Sequence, residues 1–153
     1  QFLFFSDVLE GEVISATVAN RANPEHPGLQ DVGDMHLRTP QTTGYVRLDW
    51  FTPAGLGTWG DGRLTILGTD GYIELRKYID IAGQPGKDHL ILVDKMGIQR
   101  VDCSGVELPY GRQLIDDVLN RTETAMPQAR CFNAMELAIR AQMLAERGTA
   151  WER

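Results

Sequence analysis

One glycine-rich segment concentrates the side chains best suited to binding a small polar molecule. Trp59, Asp61 and Arg63 lie within five positions and offer an aromatic stacking surface, a hydrogen-bond acceptor and a bidentate donor. Such groups suit a polyol or a sugar. The same spacing lets Asp61 and Arg63 pair with each other or with the turn backbone instead, and both interpretations stay open.

Two residues outside this segment are further candidates for substrate contacts, chosen by side-chain type and loop placement. His26 lies between Pro24 and Pro27, from where its ring can reach a cleft, and Tyr110 follows Pro109. For His26, a solvated or structural role is the alternative. These two residues complete the set of five substrate-binding candidates.

The sequence predicts neither a catalytic constellation nor a metal site. The three histidines lie in one loop and two strands, without the mutual spacing that a metal site or a triad needs. Asp116 and Asp117 are adjacent on a predicted helix and do not converge, which indicates a solvated face. Cys103 and Cys131 have no metal-ligand spacing; we expect two reduced thiols, although their spacing also permits a disulfide.

Residues 55–60 match the dinucleotide-binding pattern G-x-G-x-x-G letter by letter. That pattern works because its last glycines open a helix whose N-terminal amides hold the pyrophosphate, and an acidic residue about 20 positions on binds the ribose. Here Asp61 and Gly62 lead into an alternating, strand-like run. We therefore expect the glycines to shape a loop between strands.

The elements that position these residues follow from hydrophobic periodicity. Apolar and polar residues alternate with a period of two in seven runs, at residues 12–18, 32–38, 44–52, 63–67, 72–77, 89–94 and 98–102. Short Gly-rich separators join several of these runs, which favours hairpins and antiparallel pairing. Residues 20–30, with two prolines, predict a loop that we expect to be mobile.

The period changes to 3.6 at three places, which predicts the end of a helix at 2–9 and whole helices at 111–121 and 129–147. In the last helix, Phe132, Met135, Ile139 and Met143 form one stripe, and a neighbouring stripe of alanines lets the helix approach a sheet closely. A run of strands followed by helices predicts an α+β fold. We expect an open, mostly antiparallel sheet with helices packed on one face.

The other face of this sheet then carries aromatic and charged side chains with no helix to cover it. It would present Tyr45, Arg47, Asp49, Phe51, Tyr72, Glu74 and Arg76. A solvated face is one interpretation, since antiparallel sheets can face water on one side. A homo-oligomer interface, of a dimer or a tetramer, is the other, since Tyr, Phe and Arg favour partner contacts.

Length and composition restrict the class of protein. The 153 residues, 42% hydrophobic and 24% charged, suit a single globular domain spanning 1–153. A net charge of -6 argues against a nucleic-acid partner, no apolar run is long enough for a membrane span, and the cysteine usage predicts a cytoplasmic protein. Gln1 stands inside an apolar, helix-like run, which indicates a fragment of a longer protein.

The segment Leu-Thr-Ile-Leu-Gly-Thr-Asp-Gly-Tyr-Ile-Glu-Leu-Arg at 64–76 resembles the hallmark of the C-terminal domain in one enzyme family. This is the glucose-fructose oxidoreductase, inositol dehydrogenase and rhizopine-catabolism (Gfo/Idh/MocA) family. Residues 116–123, 134–138 and 141–142 resemble its two closing helices, and residues 1–5 resemble the helix that follows its His-x-x-Asp catalytic segment. The resemblance spans essentially the whole chain.

This resemblance implies a two-domain NAD(P)-dependent dehydrogenase acting on a sugar, a cyclitol or a related hydroxyl compound. In such an enzyme a Rossmann domain binds NAD or NADP, and this α+β half supplies substrate walls and the oligomer interface. The chain contains no Rossmann half, no Glu-Lys-Pro segment and no His-x-x-Asp, so no family catalytic residue can be assigned. Alone, it is expected to bind no cofactor and to transfer no hydride.

A non-catalytic self-associating or sugar-binding module is the alternative function. In that case the function would reside entirely in the amphipathic face of the sheet. The two interpretations differ at the level of the gene, because only the enzyme requires an upstream Rossmann half with the family's two catalytic motifs.

Overall fold

The computed structural model describes residues 1–148. In chain order its elements are α1 (Phe2–Phe5), β1 (Glu12–Ala19), β2 (Val32–Arg38), β3 (Thr43–Asp49), β4 (Arg63–Leu67), β5 (Gly71–Arg76), β6 (His89–Asp94), β7 (Gly97–Val101), α2 (Tyr110–Asn120) and α3 (Gln128–Gly148). Both sheets are open and antiparallel, in the orders β1-β2-β3 and β4-β5-β6-β7. The predicted α+β class is confirmed, with the strands divided between two sheets.

These elements form two compact units. Unit 1 combines Gln1–Phe51 with the described residues from Pro109 onward, and unit 2 is Thr52–Leu108. In unit 1, α3 packs against β1, and the core cluster consists of Leu3, Leu37 and Leu137. Unit 2 contains the four-stranded sheet and the loop that precedes it.

Among the described residues, no helix combines the length and apolarity needed to cross a bilayer.

A β-bulge in β1 decides which of its side chains reach this core. The pairing of β1 with β2 shifts between Val13 and Ser15, so that one extra residue is inserted into β1. Val13 therefore shares a face with Ala16 and Val18, whereas regular alternation would place Ile14 there. Val13 packs against the core cluster, and Ile14 is half exposed.

Both long helices differ from the expected packing. In α3 the buried residues are Leu137, Ala141 and Ala145. Of the predicted alanine stripe, Ala141 and Ala145 are therefore buried, whereas Ala134 and Ala138 are exposed. The predicted stripe of large side chains is instead exposed, and so are the apolar residues of α2.

The expectation that Asp117 lies on a solvated face is wrong. Asp117 is the buried residue of α2, and its carboxylate organises the turn that follows the helix. It accepts hydrogen bonds from the Thr122 hydroxyl at 2.6 Å and from the backbone N–H groups of Thr124 and Ala125 at 2.8 Å. These hydrogen bonds, of which that from Thr122 has the largest effect, hold the pKa of Asp117 far below its usual value.

The loop at residues 20–30 is held by hydrogen bonds to Asp31, a fully buried residue. Its carboxylate accepts hydrogen bonds from the N–H groups of Arg21 and Ala22, each at 2.8 Å, and from the Asn23 side chain at 2.9 Å. Burial opposes ionisation, but these donors outweigh it and lower the pKa of Asp31. Asn20 adds hydrogen bonds to two carbonyl groups inside the loop.

Candidate functional site

The loop before β4 presents Trp59 to solvent. A single 3₁₀ turn at Ala54–Leu56 ends at Gly57, and Gly57 and Gly60 both have left-handed φ values, +73° and +89°. Glycine adopts this conformation without steric cost, so the chain can reverse on either side of Trp59. The indole is 92% exposed. A large aromatic surface held outward on a shaped loop is well placed to stack on a ligand.

Asp61 and Arg63 form an ion pair at the end of this loop. Nε and Nη2 of Arg63 donate to the same oxygen, Oδ2 of Asp61, at 3.0 and 2.6 Å. The hydrogen bond that Arg63 donates to Asp61 raises the pKa of Arg63. Of the two interpretations that the sequence leaves open, the structure shows the pair. Within residues 1–148, Oδ1 of Asp61 has no hydrogen-bond partner, so the pair retains acceptor capacity.

A charged face extends from this pair across the four-stranded sheet. Arg63 lies opposite Arg76, and Arg76 lies opposite His89 on the next strand. Arginines directly opposite one another are unfavourable unless carboxylates compensate. Here they do, because Arg76 donates to Glu74 at 2.6 Å and to the buried Asp80 at 2.5 Å. The hydrogen bond to Glu74 is the main cause of the raised pKa of Arg76.

Asp80 anchors this charged face. It accepts from the Ala82 N–H and from Arg76, and Arg100 on β7 lies 3.8 Å from its other oxygen. The Ala82 hydrogen bond is the largest influence and lowers the pKa of Asp80 in spite of burial. A carboxylate that remains charged here fixes two arginines from different strands in place.

Sequence reasoning missed an open groove of about 390 Å³ within unit 2. Its lining comes from two stretches, residues 84–90 and 100–104, and its polar or charged side chains are Gln84, Lys87, Asp88, His89, Arg100, Asp102 and Ser104. Only the pairing of β6 with β7 brings these stretches together, so no local signal in the sequence could reveal the groove. Trp59, Asp61 and Arg63 do not line it.

The remaining substrate candidates, His26 and Tyr110, belong to unit 1, whereas Trp59, Asp61 and Arg63 belong to unit 2. His26 is exposed, with Nε2 3.9 Å from a carboxylate oxygen of Glu25. Tyr110 is the first residue of α2 and is half exposed. The structure thus brings together three of the five candidates in one segment.

The predicted interface residues form two groups. Tyr45, Arg47 and Asp49 alternate along β3, where Nε of Arg47 donates to Asp49 at 2.8 Å, and Phe51 follows, with its N–H also bonded to Asp49. In unit 2, Tyr72, Glu74 and Arg76 alternate along β5. Within each strand, alternation places these residues on one face. Tyr45, at 54%, is the most exposed of the three aromatic residues among the seven.

The glycine pattern at 55–60 does not form a phosphate cradle. It leads into β4 rather than into a helix, as its sequence context predicted, so no helix N-terminus is available there for a pyrophosphate.

Both cysteines are free thiols. Within residues 1–148, no group of His, Cys, Asp and Glu is arranged to hold a metal ion.

Two solved structures resemble this chain. One is a "putative oxidoreductase" from Erwinia carotovora atroseptica SCRI1043, with 44% identity and a TM-score of 0.90 over 94% of this chain. The other is a "putative oxidoreductase" from Thermotoga maritima, with 19% identity and a TM-score of 0.74 over 91% of this chain. No protein-family model and no curated protein matches the chain.

The chain spans less than half the length of either of these proteins, 44% of the Erwinia chain and 39% of the Thermotoga chain. The Thermotoga likeness, at 19% identity, shows the fold alone. The Erwinia likeness, at 44% identity over 94% of this chain, is one of sequence as well as of fold.

Proposed function

We propose that this chain is the substrate-binding and oligomerisation domain of an NAD(P)-dependent oxidoreductase that acts on a sugar, a cyclitol or a related hydroxyl compound. The observation that carries the proposal is the 44% identity and TM-score of 0.90 with the Erwinia "putative oxidoreductase". The resemblance of residues 64–76 to the Gfo/Idh/MocA hallmark supports the same assignment independently of that structure.

The substrate role rests on the loop before β4. A sugar presents apolar C–H faces and hydroxyl edges. These match the exposed indole of Trp59 and Oδ1 of Asp61, which accepts no hydrogen bond from residues 1–148. Arg63 holds the Asp61 carboxylate in one orientation. Fixed groups of this kind lower the entropy cost of orienting a substrate for reaction, and His26 and Tyr110 are further candidates for the same substrate.

The nicotinamide cofactor belongs to another part of the parent protein in this proposal. The only glycine pattern of dinucleotide type in this chain opens a strand, so the residues present here do not fit NAD or NADP. The contribution of this chain is to bind and orient the substrate and to exclude water, and no redox step is assigned to its residues.

The test is to extend the gene upstream and to express both the parent protein and residues 1–153. We expect the parent to bind NAD or NADP and to reduce it in the presence of a polyol from a panel of sugars and cyclitols, and the isolated chain to do neither. A gene that encodes no additional domain, or a parent that binds neither cofactor, would contradict the proposal and favour the non-catalytic module.

The oligomerisation role rests on the exposed aromatic and charged side chains of β3. Tyr45 and Arg47 are residue types enriched in interface cores, and the ion pair from Arg47 to Asp49 holds the arginine in place on this face of β3. We propose a homodimer or homotetramer that uses this face of unit 1. Tyr72, Glu74 and Arg76 of unit 2 are proposed as a separate contact group of the same kind.

A further inference from the structure

Helix α3 has two apolar faces, and among residues 1–148 only one of them packs against another element. Leu137, Ala141 and Ala145 recur every four residues and are buried on the side that packs against β1. A second stripe consists of Phe132, Met135, Ile139 and Met143, which are 67, 58, 57 and 50% exposed. At 3.6 residues per turn, this stripe lies on the opposite side of the helix.

Helix α2 repeats this pattern. Its apolar residues Leu114, Ile115, Val118 and Leu119 are all exposed, and α2 makes no extensive contact with another helix or strand among residues 1–148. Only Asp117 is buried, through its hydrogen bonds to the following turn. An amphipathic helix gains most of its stability by burying its apolar face, so α2 also lacks its partner.

The Erwinia protein contains additional polypeptide beyond the fold described here. The two folds agree with a TM-score of 0.90 over 94% of this chain, yet this chain accounts for only 44% of the Erwinia chain. More than half of that polypeptide is therefore additional to the fold described here. A protein that closely resembles this chain thus provides enough further polypeptide to cover two helix faces.

We propose that the outer faces of α2 and α3 are docking surfaces for the additional part of a longer parent chain. The inference rests on the proposed function, in which this chain is one domain of a larger oxidoreductase. It adds which surface joins that domain to the rest of the protein.

The chemistry of the α3 stripe favours this occupant over a second copy of the chain. Its four large side chains are Phe, Ile and Met, without a charge among them, and such a composition resembles a protein core and is typical of permanent interfaces. The face of β3, in contrast, combines Tyr45 with the Arg47–Asp49 ion pair, a composition closer to that of a separable interface. The two surfaces therefore suit different partners.

Methionine oxidation provides a direct test, because the stripe contains Met135 and Met143. The parent protein and residues 1–153 would be treated with hydrogen peroxide, and sulfoxide formation would be followed by peptide mass spectrometry. Met96, exposed in the turn between β6 and β7, serves as the internal reference. We expect all three methionines to oxidise readily in the isolated chain, and Met135 and Met143 to oxidise at least tenfold more slowly than Met96 in the parent.

Three other results would overturn the proposal. Equal oxidation of all three methionines in the parent would show that the stripe stays exposed. Protection of Met135 and Met143 in the isolated chain that disappears on dilution would identify a second copy as the occupant. A gene without an upstream domain would contradict both the proposed function and the docking proposal. A parent protein that has such a domain but leaves the stripe exposed would contradict the docking proposal alone.

A substitution separates docking from folding. Ile139→Asp introduces a charge into the stripe, and the control Ala138→Asp introduces the same charge at the preceding exposed position, outside the stripe. We expect Ile139→Asp to leave the melting temperature of the isolated chain close to that of Ala138→Asp, and to restore peroxide oxidation of Met135 and Met143 in the parent. Equal protection in both parent variants would contradict the proposal.

Discussion

At the residue scale, carboxylates with lowered pKa values hold several loops and turns in place. Asp31, Asp80 and Asp117 each accept backbone N–H groups from segments outside regular structure. In each case hydrogen bonding to the ionised form outweighs the cost of burial. The folded chain therefore depends on these groups remaining ionised.

The lowered pKa of Asp117 predicts the direction in which the stability of the fold changes with pH. Its pKa is lowered in the folded state, so its contribution to stability is present above the unfolded value of about 3.9 and is lost as the pH falls from there toward the folded value. Asp117→Asn removes the charge. We expect the variant to be less stable than wild type at neutral pH, and the difference between their urea midpoints to shrink steadily below about pH 4.

The adjacent and exposed Asp116 provides the control for this prediction. Asp116→Asn should leave the urea midpoint at neutral pH and its acid dependence close to those of wild type. An acid dependence of Asp117→Asn identical to that of wild type would show that the hydrogen bonds of this carboxylate do not stabilise the fold.

Trp59 allows the proposed substrate contact to be tested on the parent enzyme. Loss of an aromatic stacking surface costs about 1 kcal/mol, so Trp59→Ala should raise KM for the best substrate about fivefold with little effect on kcat. The matched control is Trp50→Ala, because Trp50 is also largely exposed but lies outside the loop. Unchanged steady-state kinetics in Trp59→Ala would argue against substrate stacking at this position.

At the scale of elements, Gly71 explains part of the hallmark segment in physical terms. A Cβ built at this position would lie 2.2 Å from the backbone carbonyl oxygen of Val93, so β5 can begin beside β6 only without a side chain. We expect Gly71→Ala to lower the free energy of unfolding by about 3 kcal/mol, measured by urea denaturation. Gly28→Ala, with no heavy atom within 4 Å of its Cβ, should change it by less than about 0.5 kcal/mol.

Local periodicity was sufficient to predict most strands. The bounds of β2, β4 and β6 match the predicted runs, because each alternates with a period of two between turn-forming residues. The bulge in β1 was not predictable, since it depends on the register with β2. Helix α1 ends at Phe5, before the predicted residue 9, and Asp7 has a left-handed φ of 52° that does not continue a right-handed helix.

The remaining features depend on contacts between segments that are distant in the sequence, and local periodicity does not predict such contacts. An apolar stripe such as Phe132 to Met143 predicts that a helix needs a partner, but periodicity does not say whether the partner lies in the same chain. The turn that Asp117 organises and the groove of unit 2 likewise depend on three-dimensional approach. The Trp59, Asp61 and Arg63 cluster was accessible to sequence reasoning because it is local.

At the scale of the whole molecule, the buried apolar residues are few. Among the described residues they are Leu3, Leu37, Leu137, Ala141 and Ala145, all in unit 1. Large apolar side chains are instead exposed on α2 and α3, and an aromatic and charged group is exposed on β3. The two kinds of surface differ in composition, and this is why we assign a covalently linked domain to the helices and a separable copy of the protein to the sheet.

The proposal that the face of β3 is an oligomer interface can be tested by measuring the molecular mass of the protein in solution. A central interface tyrosine often contributes at least about 2 kcal/mol to association, which corresponds to a weakening of roughly thirtyfold in Kd. Tyr45→Ala should therefore shift the oligomer toward monomer in light scattering coupled to size exclusion, at concentrations where wild type stays assembled. Tyr78→Ala is the control, because Tyr78 has a similar exposure but lies outside β3. If both variants keep the wild-type mass, or if wild type is itself monomeric, the face of β3 is solvated, as antiparallel sheets permit.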